Sequence, residues 1–437
     1  MSRKRRANRP VYLIDGNRSP FLKARNTQGP FKAADLAVAA GKPLLLRQAF
    51  PADAFDEVIL GCVMPGPNEA NIARIAALRL GCGEATPAWT VQRNCASGLQ
   101  AVDTAAERIR HGYSELILAG GVESMSQAPL LFPDDFVNWL GRLSTSRDLP
   151  SRLRALARFR PHMLKPVIGI LCGLTDPVTR MSMGQTAEKL AWLFGISREE
   201  MDAFALRSHQ RLAAAQARGN FPGELTPVFD HHGRAHERDD GVRPDSSMEK
   251  LARLRPVFDR RYGKVTAGNS AQITDGAAWL VVASAEACER HGLNPVAEII
   301  DSEWAALDPS IMGLGPAHAI GRLLARQRMK TADIDYWEIN EAFAAQVIAC
   351  QRALADDAWC REHLGHASPG EIPDERLNVD GGGISLGHPV GASGARILLH
   401  LMRVLQREQA QYGVASLCIG GGQGGAMLIR RHEEAAS

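Results

Sequence analysis

Short apolar runs and longer runs of helical period alternate along almost the whole chain. Val11–Asp15, Glu57–Cys62, Ala88–Gln92 and Leu116–Gly120 are short, apolar and bounded by Gly, Pro or Asn, the pattern of buried strands. Between them, Asp35–Gln48, Asn71–Leu80 and Ala96–His111 carry Ala and Leu at helical spacing. The second half repeats the style. Trp279–Ala283, Val296–Trp304, Asp335–Ile339 and Val414–Cys418 predict strands; Ala317–Arg328, Ala342–Ala355 and Ser393–Gln406 predict helices. Such alternation implies an α/β protein whose sheets are covered by helices. The runs Glu115–Gly121 and Val414–Gly421 echo each other, as the halves of a duplicated unit would.

Between the halves, residues 125–261 break the pattern. Trp139–Leu171 carries seven basic residues (Arg142, Arg147, Arg152, Arg154, Arg158, Arg160, Lys165) against one acidic residue, Asp148, with leucines and aromatics interleaved. It reads as a helical lid with a solvated basic face, or as a docking face for a partner protein or for a peripheral contact with an anionic membrane. Asp230–Asp245 reads as a polar loop. Its His231, His232 and His236 lack a Cys or carboxylate framework, so no metal is expected there.

A length of 437 residues exceeds one typical core, so two or more domains or subdomains are expected. Net charge is only +3, which argues against a nucleic-acid partner. The basic start, Met1–Arg6, has no apolar segment after it and reads as a disordered tail, with a targeting or anionic-surface role as the alternative. No run has the apolar length of a membrane span. The eight cysteines show no C-x-x-C spacing, against a zinc or dithiol site, and with no signal peptide they suggest a reducing compartment, the cytoplasm.

Three segments place a reactive side chain among glycines and small residues. In Asn94-Cys95-Ala96-Ser97-Gly98 a strand runs into a helix, so Cys95 sits at or near a helix N-terminus, where backbone N–H groups and the dipole favour a thiolate. A buried structural thiol is the alternative. His388, in Gly387-His388-Pro389-Val390-Gly391-Ala392-Ser393-Gly394, precedes another helix start, which favours a neutral imidazole able to act as base. Cys418 precedes Gly420-Gly421-Gly422-Gln423-Gly424-Gly425. This run matches the dinucleotide pattern in form only: Ala426–Arg430 reads as a strand, so a strand–turn–strand hairpin is expected. Its free N–H groups can build an oxyanion hole. Asn340, ahead of Glu341-Ala342-Phe343, is either a helix N-cap or a functional side chain.

These blocks, with Asn340-Glu341-Ala342-Phe343-Ala344, resemble in order the four signature blocks of the thiolase family. Val11–Phe21, Gly120–Ser126, Ser182–Glu188, Thr266–Ser270 and Asp275–Ala277 match as well, so the likeness spans about residues 10 to 432. The resemblance implies two βαβαβαββ halves in five α-β-α-β-α layers, with a loop domain inserted in the first half. The expected divisions are 1–124 and 262–292 for the first half, 125–261 for the insertion and 293–437 for the second half. It also implies roles: acylation of Cys95, proton acceptance by His388, and transfer of the α-proton of acetyl-CoA by Cys418. One oxyanion hole would be formed by His388 and a water held by Asn340, the other by the backbone N–H groups of Cys95 and Gly420. Ser182, Met183, Ala267, Gly268, Ser270, Ala271 and Phe343 would line the acyl or CoA pocket. No cofactor is implied, since CoA is a substrate, and a homodimer or homotetramer is expected.

Two positions depart from short-chain acetoacetyl-type members. Ser182 stands where they often have His, and Ala271 where they have Ser, with Ser270 one position earlier. The Trp139–Leu171 segment instead resembles the β-subunits of fatty-acid oxidation complexes, whose partner is an enoyl-CoA hydratase/3-hydroxyacyl-CoA dehydrogenase subunit, although that subgroup commonly has His at the place of Asn340. The expected activity is cleavage of medium or long 3-ketoacyl-CoA by CoA in fatty-acid β-oxidation, with acetoacetyl-CoA thiolase chemistry as the alternative. A β-ketoacyl synthase would need a second His where Asn340 stands, and a non-catalytic lipid carrier would be expected to lack Cys95 or His388.

Overall fold

The computed structural model describes residues 9–25 and 27–432; the basic start at Met1–Arg6 lies outside the described residues. Ten strands form the main sheet assembly: β1 (Val11–Arg18), β2 (Leu22–Lys23), β3 (Glu57–Gly61), β4 (Ala88–Val91), β5 (Leu116–Ser124), β6 (Thr274–Ser284), β7 (Ala297–Ala306), β8 (Tyr336–Ile339), β9 (Tyr412–Ile419) and β10 (Gln423–Arg431). The helices that pack on these strands are α1 (Ala33–Leu46), α2 (Ile72–Leu80), α3 (Ser97–Arg110), α4 (Gly315–Gln327), α5 (Ala344–Ala355) and α6 (Val390–Arg407), with shorter helices at Ala285–His291, Asp357–Leu364 and Gly383–Leu386. The strand order is β8-β9-β10-β7-β1-β6-β5-β3-β4, with β2 on β6.

The halves join where β1 meets β7 over only two residue pairs, Tyr12 with Glu298 and Leu13 with Ala297. Each side of that seam repeats one topology. The first half orders its strands β4-β3-β5-β6-β1 and the second β8-β9-β10-β7. Where the second half should have its counterpart of β4, the chain makes a single parallel bridge from Leu377 to Trp337. The echoing runs at Glu115–Gly121 and Val414–Gly421 fall on β5 and β9, which hold equivalent places.

Strand side chains alternate between two cores, as a period of two requires. Val58, Leu60, Leu116, Leu118, Trp279 and Val281 pack with α1 and α2, while Ile59, Ile117, Ala119, Leu280 and Val282 face a second core with α3 and α6. In the second half, Ala415, Leu417 and Ile419 join that same central core, and Val414 and Cys418 face a third core with α4 and α5. Three cores separate five layers, with α3 and α6 as the middle one. Strands buried on both faces read as continuous apolar runs, which is why they were legible.

Glycine sets the spacing of that middle layer. A Cβ on Gly394 would stand 2.5 Å from Leu99 N, and one on Gly98 would stand 2.8 Å from Gly391 O and Ala395 N. At Gly121 a Cβ would come 2.0 Å from Gly391 O. Backbone therefore meets backbone here, and any side chain would force α3 and α6 apart.

The inserted region contains the helices Asp134–Thr145, Leu149–Ala157, Met183–Leu193 and Arg198–Arg218. The last two start at capping boxes, Ser182 with Gln185 and Ser197 with Glu200. The first two form a hairpin around Trp139, whose Nε1 donates to Ala155 O at 2.9 Å and whose ring packs on Phe136 and Phe159. Leu140, Leu149, Leu153 and Leu156 remain exposed beside it. In the polar loop, the His231 and His232 rings lie 3.9 Å apart, tilted by 43°. His236 does meet a carboxylate, Asp230 Oδ2 at 3.2 Å. No group of three or more His, Cys, Asp or Glu is placed to hold a metal among the described residues.

Candidate active site

The repeated topology explains why residues almost three hundred positions apart converge. Cys95 precedes α3 and His388 precedes α6, the same helix in each half, and these two helices pack side by side. Their N-terminal ends open on one cavity of about 510 Å³. Cys95, His388 and Cys418 all line it, together with Ser182, Met183, Ala267, Ser270, Ala271 and Phe343. Most of the remaining wall is apolar, including Met125, Leu171, Leu174, Phe258 and Met312. Gly268 lies instead on an adjoining polar cavity of about 180 Å³ with His209, Arg243 and Lys250. The two cavities adjoin at Arg243, Ala267 and Gln272, which line both.

Cys95 lies between β4 and α3 on a strained turn. Asn94 adopts φ 43°, a left-handed conformation that Asn tolerates better than most residues. Its Nδ2 donates to Gly420 O at 2.8 Å, which ties the Cys95 turn to the β9–β10 turn. That turn is the expected hairpin: Cys418 pairs with Gly424, and Gly421 and Gly422 take φ of 90° and 79°. Burial pushes the Cys95 thiol up, and the N–H groups of Gly420 and of Cys95 itself, aimed at the sulfur, pull it partly back. The sequence expectation of a stabilised thiolate is therefore corrected for the free protein. Burial is the larger effect and the two N–H groups the smaller, so the Cys95 thiol lies above its ordinary range. Those two N–H groups are the ones expected to form an oxyanion hole.

His388 is buried, and burial with the nearby Arg396 charge pushes its imidazole down to about 4. It is neutral, as expected. Its Nδ1 lies 2.6 Å from Ser393 Oγ, and Ser393 Oγ donates to Pro389 O at 3.1 Å. Counting hydrogens assigns Nδ1–H as donor to Ser393 and leaves the lone pair on Nε2. Cys418 is fully buried; burial and the nearby Cys95 and Cys350 push its thiol well up.

Asn340 does not cap a helix. α5 begins at Ala344 with Phe343 as its N-cap residue, and Asn340 instead extends the β8 pairing through its N–H to Ser416 O at 2.9 Å. Its Nδ2 lies 3.5 Å from both ring nitrogens of His388, so it aligns with neither as a hydrogen bond. Its Oδ1 has no partner among the described residues. Ser182 serves its helix cap and also reaches the cavity wall. Ser270 Oγ donates to Thr266 O at 2.7 Å, and Ala271 N donates to Ala342 O at 2.9 Å, which brings the Ala267–Ala271 loop against Phe343.

Sequence reasoning gave no role to Glu123. Its buried carboxylate accepts from Val63 N, Met64 N and Gly391 N, and burial raises it to about 7. It thereby braces the start of α6 beside His388. It also missed Ser393, Lys23 and Arg243, the last two being the charged residues on the main cavity wall.

Two thiols and a neutral imidazole around one apolar cavity, with N–H groups aimed at the first sulfur, define a site for acyl transfer through a cysteine thioester. The chain matches the family descriptions "Thiolase, N-terminal domain" over residues 11–286 and "Thiolase, C-terminal domain" over residues 293–431. It is 36% identical over 427 residues to the mitochondrial trifunctional enzyme subunit beta of Bos taurus, covering 97% of this chain and 89% of that one. Among solved structures, the Bacillus anthracis acetyl-CoA acetyltransferase superposes with a TM-score of 0.83 at 35% identity, covering 98% of this chain and all of that one. The human mitochondrial 3-ketoacyl-CoA thiolase in complex with CoA gives 0.82 at 36% identity, covering 97% and 98%. The chain belongs to the thiolase family. It is an acyltransferase.

The Cys95 environment sets a pH dependence. The thiolate is the reactive form, and its fraction rises about tenfold per pH unit below the thiol pKa. Burial places that pKa above the ordinary value, so alkylation of Cys95 by iodoacetamide, read by peptide mass spectrometry, should still be climbing at about pH 9. A plateau at or below about pH 8 contradicts this assignment.

Proposed function

We propose that the protein is an acetyl-CoA C-acyltransferase that cleaves medium- or long-chain 3-ketoacyl-CoA with CoA, giving acetyl-CoA and a shortened acyl-CoA, in fatty-acid β-oxidation. The observation that carries this reading is the single apolar cavity that holds Cys95, His388 and Cys418 and extends to Leu171 and Leu174 of the inserted region. An acyl chain on Cys95 needs such a wall.

In this reading the Cys95 sulfur attacks the 3-keto carbon while His388 Nε2 accepts the thiol proton. The new oxyanion sits against the N–H groups of Cys95 and Gly420. As the C2–C3 bond breaks, its electrons pass to the acetyl-CoA enolate, whose thioester oxygen is held by His388 and by a water on Asn340. Cys418 then gives a proton to C2. In the second half-reaction CoA loses its thiol proton to Cys418 and its sulfur attacks the acyl-Cys95 carbonyl; Cys95 is expelled and takes back the proton held on His388 Nε2, which restores both cysteines and the neutral imidazole. Two anion sites serve two developing charges. The balance closes with CoA as co-substrate and calls on no metal or redox cofactor.

A second reading, acetoacetyl-CoA thiolase running either cleavage or Claisen condensation, is supported by the close superposition on the acetyl-CoA acetyltransferase. Initial cleavage rates across a series of 3-ketoacyl-CoA chain lengths separate the two. We expect kcat/KM to rise from the four-carbon substrate toward medium chains by about tenfold or more, since each added buried methylene contributes about 0.8 kcal/mol. Activity confined to acetoacetyl-CoA would leave only the second reading standing.

We further propose that the 134–157 hairpin, within the Trp139–Leu171 segment and its flank, docks on an anionic membrane, alongside an enoyl-CoA hydratase/3-hydroxyacyl-CoA dehydrogenase partner subunit; the relative named as a trifunctional enzyme's beta subunit supports the presence of a partner. Its leucines stay exposed, and none of the seven basic residues in the segment forms an ion pair among the described residues. Binding to vesicles containing anionic lipid should fall about tenfold or more when Arg152, Arg154 and Arg158 are changed to Gln, at about 1 kcal/mol per basic residue. Equal binding of the variant, or equal binding to neutral vesicles, would remove the membrane role.

A further inference from the structure

A second tie links α6 to the strand that ends at Asn340, and it lies outside the cavity. Ser393, Arg396, His400, Arg403 and Arg407 recur three or four residues apart and so share one helix face. α6 is buried over most of its length in the middle layer, where charges are costly unless paired. Acidic groups from four other parts of the chain meet this stripe. His400 Nδ1 contacts Glu224 Oε2 at 2.7 Å and its Nε2 faces Asp380 at 3.4 Å; Arg407 pairs with Asp380 at 2.8 Å, and Arg403 pairs with Asp15.

The pair closest to the site is Arg396 with Glu338, Nη1 to Oε2 at 3.0 Å, each side chain only 2% exposed. Arg396 lies one turn beyond Ser393, whose hydroxyl holds His388 Nδ1. Glu338 lies two residues before Asn340, on the same face of the extended chain. Strand and helix therefore meet at two rungs: Asn340 with His388, and Glu338 with Arg396. The Nη1–Oε2 bond is the one side-chain hydrogen bond that either residue makes among the described residues; Arg396 Nε is unpartnered, and Glu338 Oε1 faces only His400 Nε2 at 4.0 Å.

A buried ion pair is a poor source of stability, because desolvation offsets most of its attraction. What it supplies is direction: the Nη1–H of a planar guanidinium donates to the carboxylate oxygen at a defined angle and distance, a constraint that apolar packing lacks. We propose that the Arg396–Glu338 pair is a positioning element that holds α6 against β8 so that His388 and Asn340 converge on one substrate oxygen. Neither residue lines the cavity, and neither is catalytic. The inference rests on the roles proposed above for His388 and Asn340.

The test uses the full-length protein with the chain length that the wild type cleaves fastest. The double variant Arg396→Met with Glu338→Gln removes both charges and leaves none unpaired. We expect its thermal midpoint to stay close to that of the wild type and its KM for CoA to change by less than about threefold. Its kcat should fall by about 10- to 100-fold, the scale of a misplaced catalytic group. Iodoacetamide alkylation of Cys95 should be unchanged, since the Cys95 turn is not held by this pair. Arg396→Lys keeps the charge but loses the planar fork; we expect it to fold and to give an intermediate kcat, and it carries the test alone if the double variant does not fold. A kcat within about twofold of wild type in both variants, or a kcat that falls only in step with unfolding, would overturn the positioning role while leaving the proposed function intact. A wild type that cleaves no 3-ketoacyl-CoA would overturn both.

Discussion

The contact between α3 and α6 is backbone against backbone, and the rest of the molecule is arranged around it. Because Gly98 and Gly394 leave no side chain between the helices, and Gly121 and Gly391 let α6 approach β5 as closely, the N-terminal ends of α3 and α6 open on one cavity. A duplicated fold would otherwise carry its two equivalent helix starts as separate features. Packed at this distance, it brings a nucleophile from one half against a base from the other. The glycine-rich motifs that look like loops for a ligand are thus in good part the requirement of a helix–helix approach, and the cavity is its consequence.

Burial then decides the resting charges. Cys418 and His388 are buried and Cys95 is partly covered, and burial favours the uncharged form of each. A neutral thiol beside a neutral imidazole is a poised arrangement, because charge appears only once a carbonyl carbon is attacked. The groups that would then stabilise it, the N–H groups at Cys95 and Gly420, are already fixed by the Asn94–Gly420 tie. Fixed donors in a dry site need no reorganisation during reaction, which is where most of their value lies. The cationic stripe buried along α6 is matched by acidic partners outside the cavity, and of its members Arg396 is the one whose charge reaches His388.

Much of this was legible in the sequence, for identifiable reasons. Strands such as Leu116–Gly120 and Val414–Cys418 are buried on both faces and announce themselves as unbroken apolar runs. Cys95, His388 and Cys418 stood out because a reactive side chain among small residues is unusual. Asn340 was ambiguous because a residue between a strand and a helix has the same local chemistry whether it caps or catalyses; only the start of α5 at Ala344 separates the two. The preference of a helix start for a thiolate was a sound local rule overridden by desolvation, which depends on what the other half of the chain covers. Ser393, Glu338 and Arg396 carried no signal, since an Arg or Glu in a helix or strand usually faces solvent and their partners lie 5 to 58 positions away. The missing counterpart of β4 in the second half was equally invisible, because Leu377 forms one bridge where a strand was implied.

The central claim is the division of labour between the two thiols, and trapping the covalent intermediate tests it most directly. Wild-type protein and the Cys418→Ala variant would each be mixed with acetyl-CoA, quenched and mapped by peptide mass spectrometry, with carbon–carbon cleavage of a 3-ketoacyl-CoA assayed in parallel. The account predicts an acetyl adduct on Cys95 in both proteins and a loss of cleavage of at least about 100-fold in the variant, the scale of a lost general acid or base. No adduct on Cys95, or an adduct and cleavage lost together in the Cys418→Ala protein, would contradict it.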